Sequence, residues 1–155
     1  MDEFAKNGAA DPFEETLEAV ASLAVRLDRK DCSVGLVTNG MVVGGGATTV
    51  PVRRNPQQLP ALLEVLARLH MDSKETLLDV LLGRSGLFPG VSCVHFSFQE
   101  AQTTVATEHY LFQRNTPVVF FVSRHSAASE KEALKLRSRL HSLDELVVKK
   151  PGDSL

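Results

Sequence analysis

The stretch SVGLVTNGMVVGGGATTVPVRRNPQQLPALLEVLARLH, Ser33–His70, decides the fold. It opens inside Cys32–Thr38, a short apolar run without a charge, which is the pattern of a strand buried on both faces. Asn39-Gly40 signals a turn, and Met41–Val43 is expected to start a returning strand. Gly44, Gly45 and Gly46 break that strand, and extended structure resumes over Ala47–Val52. Asn55-Pro56 then opens a helix over Gln57–His70, with Leu59, Leu62, Leu63, Leu66 and Leu69 on its apolar face.

Working outward, residues 1–10 read as a flexible leader ahead of a strong helix start. Asp11 is placed to cap, Pro12 suits the first helical position, and Glu14 follows three residues after the cap. Phe13, Leu17, Val20, Ala21, Ala24 and Leu27 then repeat with helical period as far as the charged turn at Asp28–Asp31. Downstream, a second helix is expected over Ser73–Leu82 with Ser73 as its N-cap, then a loop over Gly83–Gly90. Val91–Phe98 alternates as a strand, Glu100–Arg114 follows as a helix closed by Asn115, and Pro117–Val122 is a fully apolar strand. Ser129 caps a helix over Glu130–His141, Glu145–Val148 forms a last edge strand, and residues 151–155 are a tail. Helices alternating with apolar strands imply an α/β protein, a three-layer Rossmann-like sandwich forming one domain over residues 11–150.

The 155 residues are enough for one domain with a core, and 43% hydrophobic with 23% charged residues is ordinary for a globular chain. A formal charge of -2 argues against binding nucleic acid through its phosphates, which needs a strongly basic face. No apolar run approaches the roughly 20 residues that span a bilayer, and the acidic start MDEFAKNGAADP is no signal peptide. Cys32 and Cys93 read as small buried hydrophobes in a reducing compartment, which points to a cytoplasmic location.

The segments FEETLEAVASLAVRL (Phe13–Leu27), SVGLVTNG (Ser33–Gly40), LPALLEVLARL (Leu59–Leu69), SCVHFSF (Ser92–Phe98) and PVVFFVS (Pro117–Ser123) carry a resemblance in their order and spacing. Over roughly residues 11–125 the chain resembles the C-terminal von Willebrand factor A-like region of bacterial domain-of-unknown-function family 58 proteins. That resemblance implies a non-enzymatic interaction or assembly domain on the cytosolic side of a membrane-anchored protein. It also implies a MoxR-type AAA+ ATPase, or a membrane-anchored family member, as partner. Against the family's pattern the chain looks truncated: the first, central strand and its D-x-S-x-S ion-binding loop are absent. The A-like sandwich is then incomplete, with a β-hairpin at one edge. Strands at Cys32–Thr38 and Val91–Phe98 would pair directly or leave open edges, through which copies of the chain could associate.

Thr76 is the one match to the oxygen ligands of an A-like ion site, and a helix-capping role accounts for it. Neither a metal nor any other cofactor is expected. The glycines at 44–46 lack the Lys-Ser/Thr and the following helix of a phosphate loop. The five histidines, at 70, 95, 109, 125 and 141, show no zinc spacing, and no G-x-S-x-G elbow accompanies Ser97, Ser123 and His125. The cluster Lys131, Lys135, Arg137 and Arg139 is interrupted by glutamates and leucines, as on a solvated helix face. No catalytic residue is therefore assigned. The expected contact surface is the hairpin tip and the strand-end loops: Asn39, Gly40, Gly44, Gly45, Gly46, Gln99, Glu100, Ser123 and His125. The alternative is a small Rossmann-like nucleotide binder or enzyme using the same loops.

Overall fold

Three helix ends closed in the same way set the path of the chain. The computed structural model describes residues 1–45, 48–83, 87, 89–99, 102–123 and 140–143. Helix α1 (Asp2–Lys6) ends at Gly8, whose φ of 59° lets its N–H reach Ala5 O at 3.1 Å while Ala9 N–H reaches Phe4 O at 2.9 Å. Helix α2 (Ala10–Arg29) closes alike at Asp31, with φ 60° and Cys32 N–H on Leu27 O. Asn115, φ 53°, does the same for α5 (Gln102–Gln113), so the expected closure by Asn115 is present. Glycine suits such a left-handed position and Asn and Asp tolerate it, so each helix stops abruptly and the chain turns back.

The protein is a mixed α/β fold with small sheets. Strand β1 (Val34–Val37) pairs antiparallel with β3 (Thr49–Arg53). Strand β2 (Gly40–Val42) pairs antiparallel with β4 (Leu69–Ser73). Strands β5 (Cys93–Ser97), β6 (Val118–Val122) and β7 (Leu140–Ser142) form a parallel sheet in that order. Helices α3 (Gln58–Ala67) and α4 (Leu77–Gly83) connect the strands between. Among the described residues no helix is long and apolar enough to cross a membrane.

Helix α2 ties two cores together. Its first half packs Phe13 into a cluster with Phe4, Ala9, Leu69 and Phe98, and its second half packs Ala24 against Val34, Leu62 and Leu66. Leu17, between them, touches both clusters. Each fully buried Leu or Phe contributes roughly 1.5–3 kcal/mol relative to exposure.

Several expectations are corrected. The leader at residues 1–10 holds α1, because Phe4 is 1% exposed and wedged between Phe13 and Phe98, with ring centroids at 5.6 and 5.3 Å. Helix α2 begins at Ala10 with Ala9 at its cap, so Asp11 lies in the first turn instead of capping: the αL Gly8 starts the new helix two residues early. The strand at Gly40–Val42 does not return along β1. It crosses to β4, in the segment where a helix was expected to run on to His70. The β1 partner is β3, so the hairpin closes one strand later than its turn signal suggested. Helix α4 starts after Thr76, not Ser73, which is the last residue of β4. Leu140 and His141, expected at the end of a helix, sit in β7; residues 130–139 of that helix, the edge strand at Glu145–Val148 and the tail at 151–155 lie outside the described residues.

Candidate functional site

The direction of each strand follows from α2. The N-terminal turn of this helix meets the ends of two strands: Thr16 Oγ1 lies 2.9 Å from Ser123 Oγ, just past β6, and Phe13 shares a cluster with Phe98, just past β5. Its C-terminal turn leads through Cys32 directly into β1, whose Val34 packs on Ala24. Strand β1 therefore runs back along α2, and β5 and β6, parallel to each other, also end toward the start of that helix. The C-terminal ends of β1 and β5 converge on α1, where the Met1 ammonium donates to Asn39 Oδ1 at 3.2 Å and Phe4 packs on Phe98.

Among the described residues β1 pairs only with β3, and β5 only with β6. Each keeps one edge unpaired. Both strands line a single cavity of 1610 Å³, with residues 32–39 and 90–97 in its wall and parts of α2, β3, α3 and the 73–81 segment completing it. A five-residue strand inside a layered sheet fills about 17 Å by 5 Å by 10 Å, on the order of 800 Å³, so the cavity is large enough for one. Gly35 explains how β1 turns its other edge so closely to β3: a Cβ there would lie 2.7 Å from Val50 O and 2.8 Å from Val52 N.

The cleft walls are apolar and uncharged along both strands, and hydroxyls gather where the strands end. Thr38 is buried and accepts from Gly40 N–H at 3.1 Å. Ser97, the last residue of β5, is 8% exposed, and its Oγ has no hydrogen-bond partner among the described residues. Thr104 and Thr107 of α5 line the same end. Asn39 donates through Nδ2 to Glu75 O at 3.1 Å, which fixes the loop above them.

His95 faces this cleft from the middle of β5, its ring 4.9 Å from that of Phe120. The residue keeps some surface toward the cavity but protein encloses the ring on its other sides. Burial, then the nearby positive N-terminus, lowers its pKa from 6.5 to about 4, so the imidazole is neutral at pH 7. Cys93, at the start of β5, has its thiol pKa pushed up by burial, which makes it a poor nucleophile; Cys32, also on the cleft, is exposed.

Of the expected contact residues, the structure brings Asn39 to the cleft, where it lies at the end of β1. Gly40 is buried in β2 against the β4 backbone, where a Cβ would lie 2.7 Å from His70 O. Gly44 and Gly45 form the turn after β2 with φ of 79° and 77°, held by the Arg68 guanidinium on Val43 O and Gly45 O. Gln99 is half-buried beyond β5, and Ser123 is taken up by Thr16. Gly46, Glu100 and His125 lie outside the described residues, as do Lys131, Lys135, Arg137 and Arg139. Thr76 caps α4: its Oγ1 accepts from Asp79 N–H at 3.2 Å, and Asp79 Oδ2 accepts from Thr76 N–H at 3.1 Å and from Thr76 Oγ1 at 2.6 Å. Those hydrogen bonds hold the Asp79 carboxyl below its usual pKa. Among the described residues no group of three His, Cys, Asp or Glu side chains converges as a metal site.

The residues sequence reasoning did not assign are the edge residues themselves, together with Ser97 and His95. Their signal was an uncharged strand with a hydroxyl at its end, which is common in buried strands of any function. No family model, curated protein or solved structure matches the chain. The geometry of the cleft therefore carries the functional reading.

Proposed function

We propose that this chain is a non-enzymatic interaction and assembly module that receives an extended segment of a protein partner in the cleft between β1 and β5. One observation carries the reading: two strands, each with an edge unpaired among the described residues and each ending toward α1, line one cavity. Such edges present rows of backbone N–H and C=O groups, and pairing with an added strand satisfies them. A single edge already suffices for strand addition; two edges let the segment hydrogen-bond on both sides and become an inner strand.

The resemblance to family 58 proteins supports the same reading. An A-like sandwich has its central strand between the two strands that flank this cleft, so an added segment would complete a Rossmann-like sheet. On this reading the chain works on the cytoplasmic side of a membrane, and the partner classes are a MoxR-type AAA+ ATPase or a membrane-anchored family member. The docking surface moves from the hairpin tip to the cleft, with Asn39 common to both.

The test is a thermal-shift panel: soluble peptides carrying five consecutive Val and Ile residues, against nucleotides and Mg²⁺. Binding to the native state raises the melting temperature by mass action. The expected result is a concentration-dependent rise with peptide and none with nucleotide or Mg²⁺. A rise with a nucleotide and none with peptide would move the assignment to the small Rossmann-like binder.

A further inference from the structure

Resting on the cleft reading, we infer that the incoming segment runs in the same direction as β1 and β5, is apolar and uncharged over about five residues, and continues into a residue with a hydrogen-bonding side chain that pairs with Ser97. The occupant is thus a defined class: a stretch of another protein with the pattern of a buried parallel strand, ended by a polar residue.

Three observations carry this. First, β1 and β5 both end toward α1, and β5 already belongs to the parallel sheet β5–β6–β7, so a parallel insertion extends that sheet with uniform hydrogen-bond geometry. Sheets that are purely parallel are over-represented, and their strands, covered on both faces, are continuous apolar runs. Second, the strands that form the walls carry no Lys, Arg, Asp or Glu: they read Val-Gly-Leu-Val and Cys-Val-His-Phe-Ser, with His95 neutral at pH 7. A charged residue inside the segment would be desolvated without a partner, at a cost of several kcal/mol. Third, Ser97 lines the cleft's end, and its hydroxyl, closed to water, has no partner among the described residues. Buried hydroxyls are ordinarily bonded, so an unmet one on a residue that lines a cavity marks where an incoming polar group belongs once the side chain turns toward it. In a parallel insertion the C-terminal end of the segment arrives there.

Direction is tested with the protein's own cysteines. Cys32 and Cys93 both line the cleft where the strands begin. A peptide bearing a 2-thiopyridyl disulfide undergoes thiol–disulfide exchange, the attacking thiolate forming the mixed disulfide as pyridine-2-thione leaves. The group is placed at the N-terminal or the C-terminal end of one five-residue apolar peptide ending in Asn, and the labelled cysteine is read by mass spectrometry. The expected result is labelling of Cys32, the exposed thiol of the two, well above a scrambled, charged control with the N-terminal group only. Labelling from the C-terminal group instead overturns the direction while leaving the cleft reading intact. No labelling above control from either, with no thermal shift, overturns both.

The Ser97 pairing is tested by a cycle of Ser97→Ala and peptide Asn→Ala, with Kd from fluorescence anisotropy. The expected result is a three- to tenfold loss for the Asn peptide on Ser97→Ala and no change for the Ala peptide, the size of one net hydrogen bond. Equal effects on both peptides overturn the pairing. Thermal melts of Ser97→Ala serve as the folding control, since the change removes an unpaired hydroxyl and leaves no cavity larger than one atom. Size-exclusion chromatography identifies the source of the segment. A monomer supports a separate partner, and a dimer that dissociates on adding peptide shows a second copy in the cleft and overturns that assignment.

Discussion

Replacing His95 with Phe tests the cleft from the inside. In the folded chain the imidazole is held neutral by burial and by the positive N-terminus, with a pKa of about 4 against 6.5 for the free side chain. Both states are therefore neutral at pH 7, and the histidine costs nothing there. As the pH falls below 6.5 the unfolded chain takes up a proton that the folded chain refuses, so stability declines until the folded pKa is reached near 4. A tenfold difference in proton affinity is worth about 1.4 kcal/mol, so the full penalty is about 3 kcal/mol, most of it already present at pH 4.5. Urea unfolding at half-unit steps from pH 7.5 to 4.5 reads this directly. Carboxylates titrate in both proteins, so the quantity to follow is the difference between wild type and His95→Phe. Phe keeps a ring beside Phe120, and the difference should shrink or reverse by about 3 kcal/mol toward pH 4.5. His95→Gln is the second variant if the aromatic replacement does not fold. Parallel profiles would refute the reasoning, since they would mean that the ring is hydrated and the wall of the cleft is open to bulk water. A bound segment displaces the remaining water, so peptide affinity should also weaken as the pH falls toward the folded pKa near 4.

Two further substitutions probe how the cleft is held. Phe4→Ala removes a ring that is 1% exposed and packed on Phe13 and Phe98, and should cost about 3–5 kcal/mol by urea unfolding; an effect below 1 kcal/mol would return residues 1–10 to the role of a leader. Gly35→Ala places a Cβ against the β3 backbone, so the β1–β3 pair must shift, and a loss of about 1–3 kcal/mol is expected, with weaker peptide binding because β1 is one wall of the cleft; unchanged stability and affinity would show that β1 does not hold the position described.

Much of the α/β alternation was legible in the sequence because long periodic segments leave few choices. The helical repeat from Phe13 to Leu27 and the apolar strands around Val94 and Phe120 lie where their patterns put them. The β2–β4 pair was not legible, for a specific reason. Leu69, His70, Met71, Asp72 and Ser73 alternate in burial as a strand should, but Leu69 also continues the helical spacing of Leu62 and Leu66, so the helix pattern absorbed it. Phe4 is the one large apolar residue between Met1 and Phe13, and its burial needs Leu69 and Phe98, far along the chain, as well as Phe13. The candidate site was half visible. A missing neighbour between two strands could be suspected from the resemblance, whereas the meeting of their ends at α1 depends on long-range contacts. The unpaired Ser97 hydroxyl is a property of packing that no local pattern encodes.

Leu17 belongs to both cores. Because the strands on either side of the gap rest on one unbroken helix, α2 acts as a spacer bar, and its side-chain bulk gauges how far apart the two walls stand. Residues that never touch a guest would then decide which guests fit. A larger side chain on that face would wedge the walls apart and a smaller one would let them close. Selectivity could thus be retuned from the back of the molecule, with every residue at the front left as it is.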